Sequence, residues 1–155
     1  MKALDAIQEI VAEIGIESWR ERDQLYVRAD DGENQITFRI YQSGYVLVLL
    51  GLFPVAAPPE RYDAMVEFAN RTNFGALVVG NLEVNPDDGF VQLRVFLLLA
   101  DNRPPRLQLR WFVTVALGTA ATLAPGIAKV AMMNADPFLA ATEVQMAMLS
   151  RVATA

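Results

Sequence analysis

YVLVLLGLF, residues 45–53, is apolar at nearly every position, and its reading decides the fold. A strand with one wet face alternates apolar and polar residues, whereas a continuous apolar strand is covered on both faces. This segment therefore belongs inside a sheet. Gln42-Ser43-Gly44 turns the chain into it, and before that turn Ile36, Phe38 and Ile40 alternate with Thr37, Arg39 and Tyr41. That alternation predicts a second strand, and residues 24–28 a shorter one. A polar stretch separates them from the N-terminal pattern, in which Leu4, Ile7, Val11 and Ile14 recur at helical spacing until Gly15 stops it. The spacing predicts a helix over 3–14.

Downstream, Pro58-Pro59 suits a helix start, where a missing N–H costs nothing. The predicted helix covers about 59–72, with Tyr62, Met65, Val66 and Ala69 on its inner face and Glu60, Asp63, Glu67, Asn70 and Arg71 turned to water or a partner. Asn73 and Gly75 are expected to end it in the left-handed conformation, and 76–84 to form a strand. Asp87-Asp88-Gly89, like Asp30-Asp31-Gly32, reads as a hairpin turn, because Gly takes positive φ and Asp bonds the local backbone. Residues 90–99 then alternate, with Val91, Leu93, Val95, Leu97 and Leu99 opposite Phe90, Gln92, Arg94, Phe96 and Leu98. The second of these faces passes from polar to apolar, so Phe96 and Leu98 need cover. A helix of the same chain is the expected cover; a second copy or a partner chain is the alternative.

Residues 106–133 fit two periods. Leu107, Leu109, Trp111, Val113 and Val115 alternate as a strand does, while Leu109, Phe112, Val113, Ala116, Leu117, Ala120 and Ala124 fit a helix, which the Ala-rich continuation favours. Residues 111–128 carry no charge over about 18 positions, the lower limit for a membrane span. Their Ala, Thr and Gly content gives little transfer free energy, so no membrane is expected as a partner. Pro125-Gly126 should kink or split the segment. Asp136-Pro137 starts a last helix, with Asp136 as N-cap. The order α-β-β-β-α-β-β-α-α predicts an α+β fold, an antiparallel sheet of about five strands with helices packed against it. Residues 1–155 read as one domain, large enough to form a core without disulfides or metal.

The 155 residues contain no histidine and no cysteine, at a formal net charge of -5. Ser–His–Asp and Cys–His nucleophilic sites are thereby excluded, as are zinc sites built on imidazole and thiolate. No phosphate-cradling glycine motif and no calcium-loop spacing occurs, so no cofactor and no metal are expected. Nucleic acid is equally unexpected, since phosphate binding needs clustered basic residues and the lysines are only Lys2 and Lys129. Arg103, Arg106 and Arg110 read as the solvated start of a helix. The acidic N-terminal helix is not a secretory signal, which makes the cytoplasm the expected location.

Phe68-Ala69-Asn70-Arg71-Thr72-Asn73-Phe74-Gly75, a strand, then Asp88-Gly89-Phe90-Val91 and a second strand resemble the YbjN family, described as bacterial sensory transduction regulators. The stretch 123–130 followed by Asp136-Pro137 is similar to that family's late helix, the proline inside it and its closing segment. The likeness extends over roughly residues 3–143 and implies a fold similar to type III secretion chaperones, which are small, often dimeric proteins that bind other polypeptides without a catalytic centre. It implies no catalytic residues. Asn70, Asn73 and Gly75 match its pattern as structural positions. The expected function is a non-enzymatic adaptor or chaperone-like regulator in sensory transduction or stress response. Its partners are itself, as a homodimer, and another polypeptide. Arg94, Phe96, Leu98 and, beside them, Trp111 are the candidate partner-binding residues, because aromatic and Arg side chains anchor interfaces. The alternative is an apolar-ligand carrier whose pocket lies between the sheet and the Ala-rich segment.

Overall fold

The structure, a computed structural model, describes residues 3–153 apart from 31, 33, 78 and 101–103. Lys2, Asp31 and Arg103, which entered the reading above, lie outside the described residues. The elements are α1 Ala3–Glu13, β1 Glu17–Glu21, β2 Gln24–Asp30, β3 Gln35–Ser43, β4 Val46–Ala56, α2 Tyr62–Gly75, β5 Asn81–Val84, β6 Phe90–Leu98, α3 Arg106–Met132 and α4 Pro137–Ala153. A 3-10 turn at Pro59–Arg61 leads into α2. The strands form a six-stranded antiparallel sheet in the order β1-β2-β3-β4-β6-β5.

The sheet has one strand more than expected. Glu-Ser-Trp-Arg-Glu in β1 is an edge strand with half-exposed or exposed residues throughout, so no apolar alternation announces it. At the opposite edge the strand expected over 76–84 shrinks to Asn81–Val84. The central position of β4 is as its composition requires: Leu47 and Leu49 are fully buried on one face, and Val48 and Leu50 are buried on the other. Pro54, which cannot donate to a ladder, falls where the β4–β6 register shifts between Leu52 and Ala56. Gly51 leaves room for the Phe38 ring, whose Cε1 would lie 3.1 Å from an added Cβ.

The helices cover one face of the sheet. Leu25, Ile40, Leu49 and Val95 form a row across four strands, and Val27, Phe38, Leu93 and Leu82 form another; all join one buried cluster with Ile7 and Ile10 of α1 and Met65 and Phe68 of α2. Helix α1 packs on β1, β2 and β3, α3 on β4 and β6, and α4 on α2 and α3. Arg106 and Arg110 are more than a solvated helix start. Arg106 pairs with Glu9 at 3.0 Å and Glu13 at 2.5 Å, and Arg110 with Glu13 at 3.5 Å, which ties α3 to α1.

Residues 106–132 are one helix, unbroken at Pro125. Proline removes one backbone hydrogen bond, but Leu123, Ala124, Gly126 and Ile127 are buried around it, and packing on both sides holds the helix through the gap. Asn134, at φ +52°, ends α3, and Arg61 donates to the carbonyls of Val130 at 2.9 Å and Ala135 at 2.6 Å, satisfying acceptors at that terminus. Asp136 caps α4 as expected, accepting from the Leu139 N–H at 3.0 Å. The Asp–Gly turns also form: Gly32 and Gly89 have positive φ, the Gly32 N–H donates to Asp30 and the Phe90 N–H to Asp88.

Asn73 and Gly75 do not adopt the left-handed conformation; α2 runs through both, and the positive φ falls later, at Gly80. The Asn73 amide instead accepts from the Leu82 N–H at 2.7 Å and donates to the Leu82 carbonyl at 3.0 Å, so the side chain pairs with edge strand β5 as a neighbouring strand would. The buried residues of α2 are Met65, Phe68, Ala69 and Thr72, while Tyr62 and Val66 are only half-buried. The Phe68 ring and Val144 converge on Gly126, where an added Cβ would lie 2.8 Å from each.

Replacing Asn73 with Ala strips both polar groups of Leu82 of their partner and should cost about 1–3 kcal/mol in urea unfolding, with the melt expected to begin at β5. Gly126→Ala drives a methyl into Phe68 and Val144 and should cost about 1–3 kcal/mol; an unchanged unfolding midpoint would mean that α2, α3 and α4 are not in close contact there.

Candidate interaction site

Alternate residues of the strands point to the face of the sheet away from the helices. The antiparallel register sets them in rows. Trp19, Tyr26, Arg39, Leu50, Arg94 and Asn81 make one row, Glu21, Gln24, Tyr41, Val48 and Phe96 the next, and Ser43, Val46 and Leu98 a third. Leu50 is flanked across strands by Arg39 and Arg94, and Val48 by Tyr41 and Phe96. Long side chains whose stems lie along apolar surface keep those two aliphatic residues from water without a helix.

The β1 side of this face is an ordered polar and aromatic layer. Trp19 stacks on Tyr26 with ring centroids 5.4 Å apart, the Arg28 guanidinium lies 5.2 Å from the Trp19 ring centroid, and that of Arg39 lies 5.3 Å from Tyr41. The Gln24 carbonyl accepts from Arg39 at 2.7 Å and from the Tyr26 hydroxyl at 2.9 Å. On the β5 side the Glu83 carboxylate accepts from Arg94 at 2.8 Å and from Gln92 at 2.6 Å. The bond to Glu83 raises the Arg94 guanidinium above its ordinary range, against a lowering by desolvation, so Arg94 remains a fixed charge.

Beyond Arg94 the polar partners stop. Phe96 is 60% exposed and Leu98 69%; Tyr45, in the β3–β4 turn, is also exposed, but its carbonyl accepts from Leu99, a residue of the buried set. The expectation that a helix of the same chain covers Phe96 and Leu98 is overturned: the helices pack on the face that holds Leu93 and Val95, and among the described residues nothing lies over this corner. Arg94, Phe96 and Leu98 therefore share one open face. Trp111 does not join them. It belongs to α3 in the helical layer, where Leu109, Phe112 and Val113 turn inward and leave it half-exposed.

Trp111 lines a different feature, a largely apolar concavity of about 430 Å³ with Leu77, Val79, Val115, Gly118 and Met148. This groove lies between α3, α4 and the segment after α2. It is not between the sheet and α3, because Ala116 and Ala120 are fully buried there and their small side chains bring the helix close instead of leaving space. By length and composition α3 is apolar enough to cross a membrane, yet half of its most apolar stretch is buried within the fold.

The sequence reading passed over Tyr45, Trp19 and Phe74. Tyr45 was counted as strand interior and Trp19 fell in a polar connection. Phe74 is 98% exposed, two residues along α2 from fully buried Thr72 and so on the opposite side of the helix.

A sequence model of the YbjN family, described as "Putative bacterial sensory transduction regulator", matches residues 3–129. The crystal structure of YbjN from E. coli, described as "a putative transcription regulator", matches with a TM-score of 0.56, covering 74% of this chain and 83% of its own at 14% identity. That likeness concerns the fold. No curated protein matches the chain.

Leu98→Ser removes apolar surface that is already in water and should shift the unfolding free energy by less than about 0.5 kcal/mol. Leu93→Ala, on the buried face of the same strand, should cost about 2–5 kcal/mol. Comparable losses in the two urea titrations would mean that the face of Leu98 is covered in solution.

Proposed function

The chain belongs to the YbjN family, whose members are described as regulators, and from that premise we propose that it is a non-enzymatic cytoplasmic adaptor that holds a partner polypeptide on its open sheet face and works as a homodimer. The observation that supports this reading is the pair Phe96 and Leu98, two large apolar side chains exposed on one sheet face in line with a paired arginine. Aromatic anchors in an apolar patch rimmed by satisfied polar groups are the composition of an interface centre. Trp19, Tyr26, Arg39 and Tyr41 would extend the contact across the sheet with rigid rings and stacked guanidinium groups, which lose little side-chain freedom on binding.

The groove lined by Trp111 supports a second reading, a carrier of an apolar small molecule. A thermal-shift panel of fatty acids and aromatic metabolites tests it, because a ligand that binds only the native state raises the melting temperature in proportion to its occupancy. A flat panel would retire it.

Native mass spectrometry of the protein from its own source, as wild type and as Leu98→Asp, tests the adaptor reading. The expected wild-type spectrum contains a complex with a second polypeptide at fixed stoichiometry. The expected Leu98→Asp spectrum lacks that polypeptide while the protein melts as the wild type does. Equal retention by Leu98→Asp, or a small added mass in place of a polypeptide, would overturn it.

A further inference from the structure

We propose that the polypeptide held on the open sheet face presents a carboxylate to Arg39, with an apolar side chain further along the same segment seated against Phe96. The inference rests on the adaptor reading above and names the chemistry of its partner. Arg28, Arg39 and Arg94 stand on this face, and they differ in one respect. Arg28 pairs with Glu17 at 3.4 Å and Arg94 with Glu83 at 2.8 Å. Arg39, half-buried in β3 between Tyr26 and Leu50 of the neighbouring strands, has no carboxylate within ion-pair distance among the described residues. Its Nε donates to the Gln24 carbonyl at 2.7 Å, and its guanidinium lies 5.3 Å from the Tyr41 ring centroid. Those contacts hold the plane of the group and leave its two Nη nitrogens as the fork that a carboxylate engages.

A partner lying across the face takes Arg39 out of water. A charge is tolerated there only when it is paired, and this chain supplies no pair, so the partner has to bring one. Phe96 fixes the second half of the match. It stands two strands and one row from Arg39, about 12 Å at ordinary strand and residue spacings, and residues four positions apart on one face of an extended segment are about 13 Å apart. One extended segment therefore reaches both points with an acid and an apolar residue four positions from it.

The same charges argue against the other occupants. A nucleic acid strand needs a run of cations to neutralise its phosphates, whereas this face carries the carboxylates of Glu17, Glu21 and Glu83 beside its one unpaired arginine. A second copy stacked face to face about a two-fold axis at the centre of the sheet would bring Arg39 against its own equivalent, because such a contact sets the same patch on both sides.

The test selects a random library of short displayed peptides on the full chain as wild type, as Arg39→Glu and as Leu98→Asp, with circular dichroism to check that each variant is folded. The wild type is expected to enrich peptides with Asp or Glu four positions from an aromatic or aliphatic residue, and Arg39→Glu to enrich Lys or Arg at the acid position instead. A peptide selected on the wild type and then synthesised should bind Arg39→Gln at least roughly tenfold more weakly, the loss of one hydrogen-bonded charge pair. Its acid-to-amide analogue should lose as much on the wild type and nothing further on Arg39→Gln, since the two changes remove one interaction. Peptides that fail to bind Leu98→Asp but carry no acid, or that bind Arg39→Gln as tightly as the wild type, would overturn this inference and leave the adaptor reading standing. A library that enriches nothing on the wild type would remove both. Binding of oligothymidylate that Arg39→Gln abolishes, or a dimer in sedimentation velocity that Arg39→Gln dissociates, would give Arg39 to a phosphate or to a second copy and overturn the inference as well.

Discussion

The pairing of β4 with β3 and β6 is the constraint on which the rest depends. It fixes an alternation at the centre of the sheet that sends Leu47 and Leu49 toward the helices and Val48 and Leu50 to the other face. A one-residue slip would exchange those sets across the whole sheet. With the register set, Leu25, Ile40 and Val95 line up with Leu49 under the helical layer. Arg39, Tyr41, Arg94 and Phe96 are brought to the opposite face whether or not anything covers them.

The helices are tied to the sheet and to one another at chemically distinct points. Asn73 holds α2 to β5 by a double hydrogen bond to Leu82, and the Phe68 and Val144 side chains close on Gly126, where α3 offers none of its own. Arg61 ties the entry to α2 to the end of α3. Glu9 and Glu13 hold Arg106 on the far side; these groups are exposed, and their contribution is correspondingly small. Helix α4 lies outermost on α2 and α3, with Ala140, Ala141 and Val144 buried and much of its remaining surface exposed.

Apolar surface is left open on both layers. The corner of Phe96 and Leu98 is the free end of a sheet face whose remainder is ordered by stacking and ion pairs. The neighbourhood of Phe74 is the end of a helix turned outward beside a shallow groove. Both lie on secondary structure, which presents their side chains at defined spacing. Arg94, held charged by Glu83, acts as a fixed charge on the first of them.

Much of the scaffold was legible in the sequence because the signals are local. The apolar run at 45–53, the alternation at 36–40 and 90–99, the Asp–Gly turns and Asp136 as an N-cap each express a backbone preference or a burial period within a few residues. The absence of histidine and cysteine settled which nucleophilic and metal chemistries are impossible. What escaped depends on partners distant in the chain. β1 is polar because it is an edge, and it forms only because β2 is there to pair with it. Asn73 was read as a helix terminator because its Leu82 partner lies nine residues away across a turn. Pro125-Gly126 was read as a kink or a split, and the split does not occur because the packing that carries α3 past it comes from other elements. Arg94, Phe96 and Leu98 were recognisable as one face from their alternation, but alternation says nothing about what lies above a face. That their corner is open, that Trp111 belongs to the other layer and that Phe74 stands free were decided by the tertiary structure alone, because exposure depends on where every other element packs.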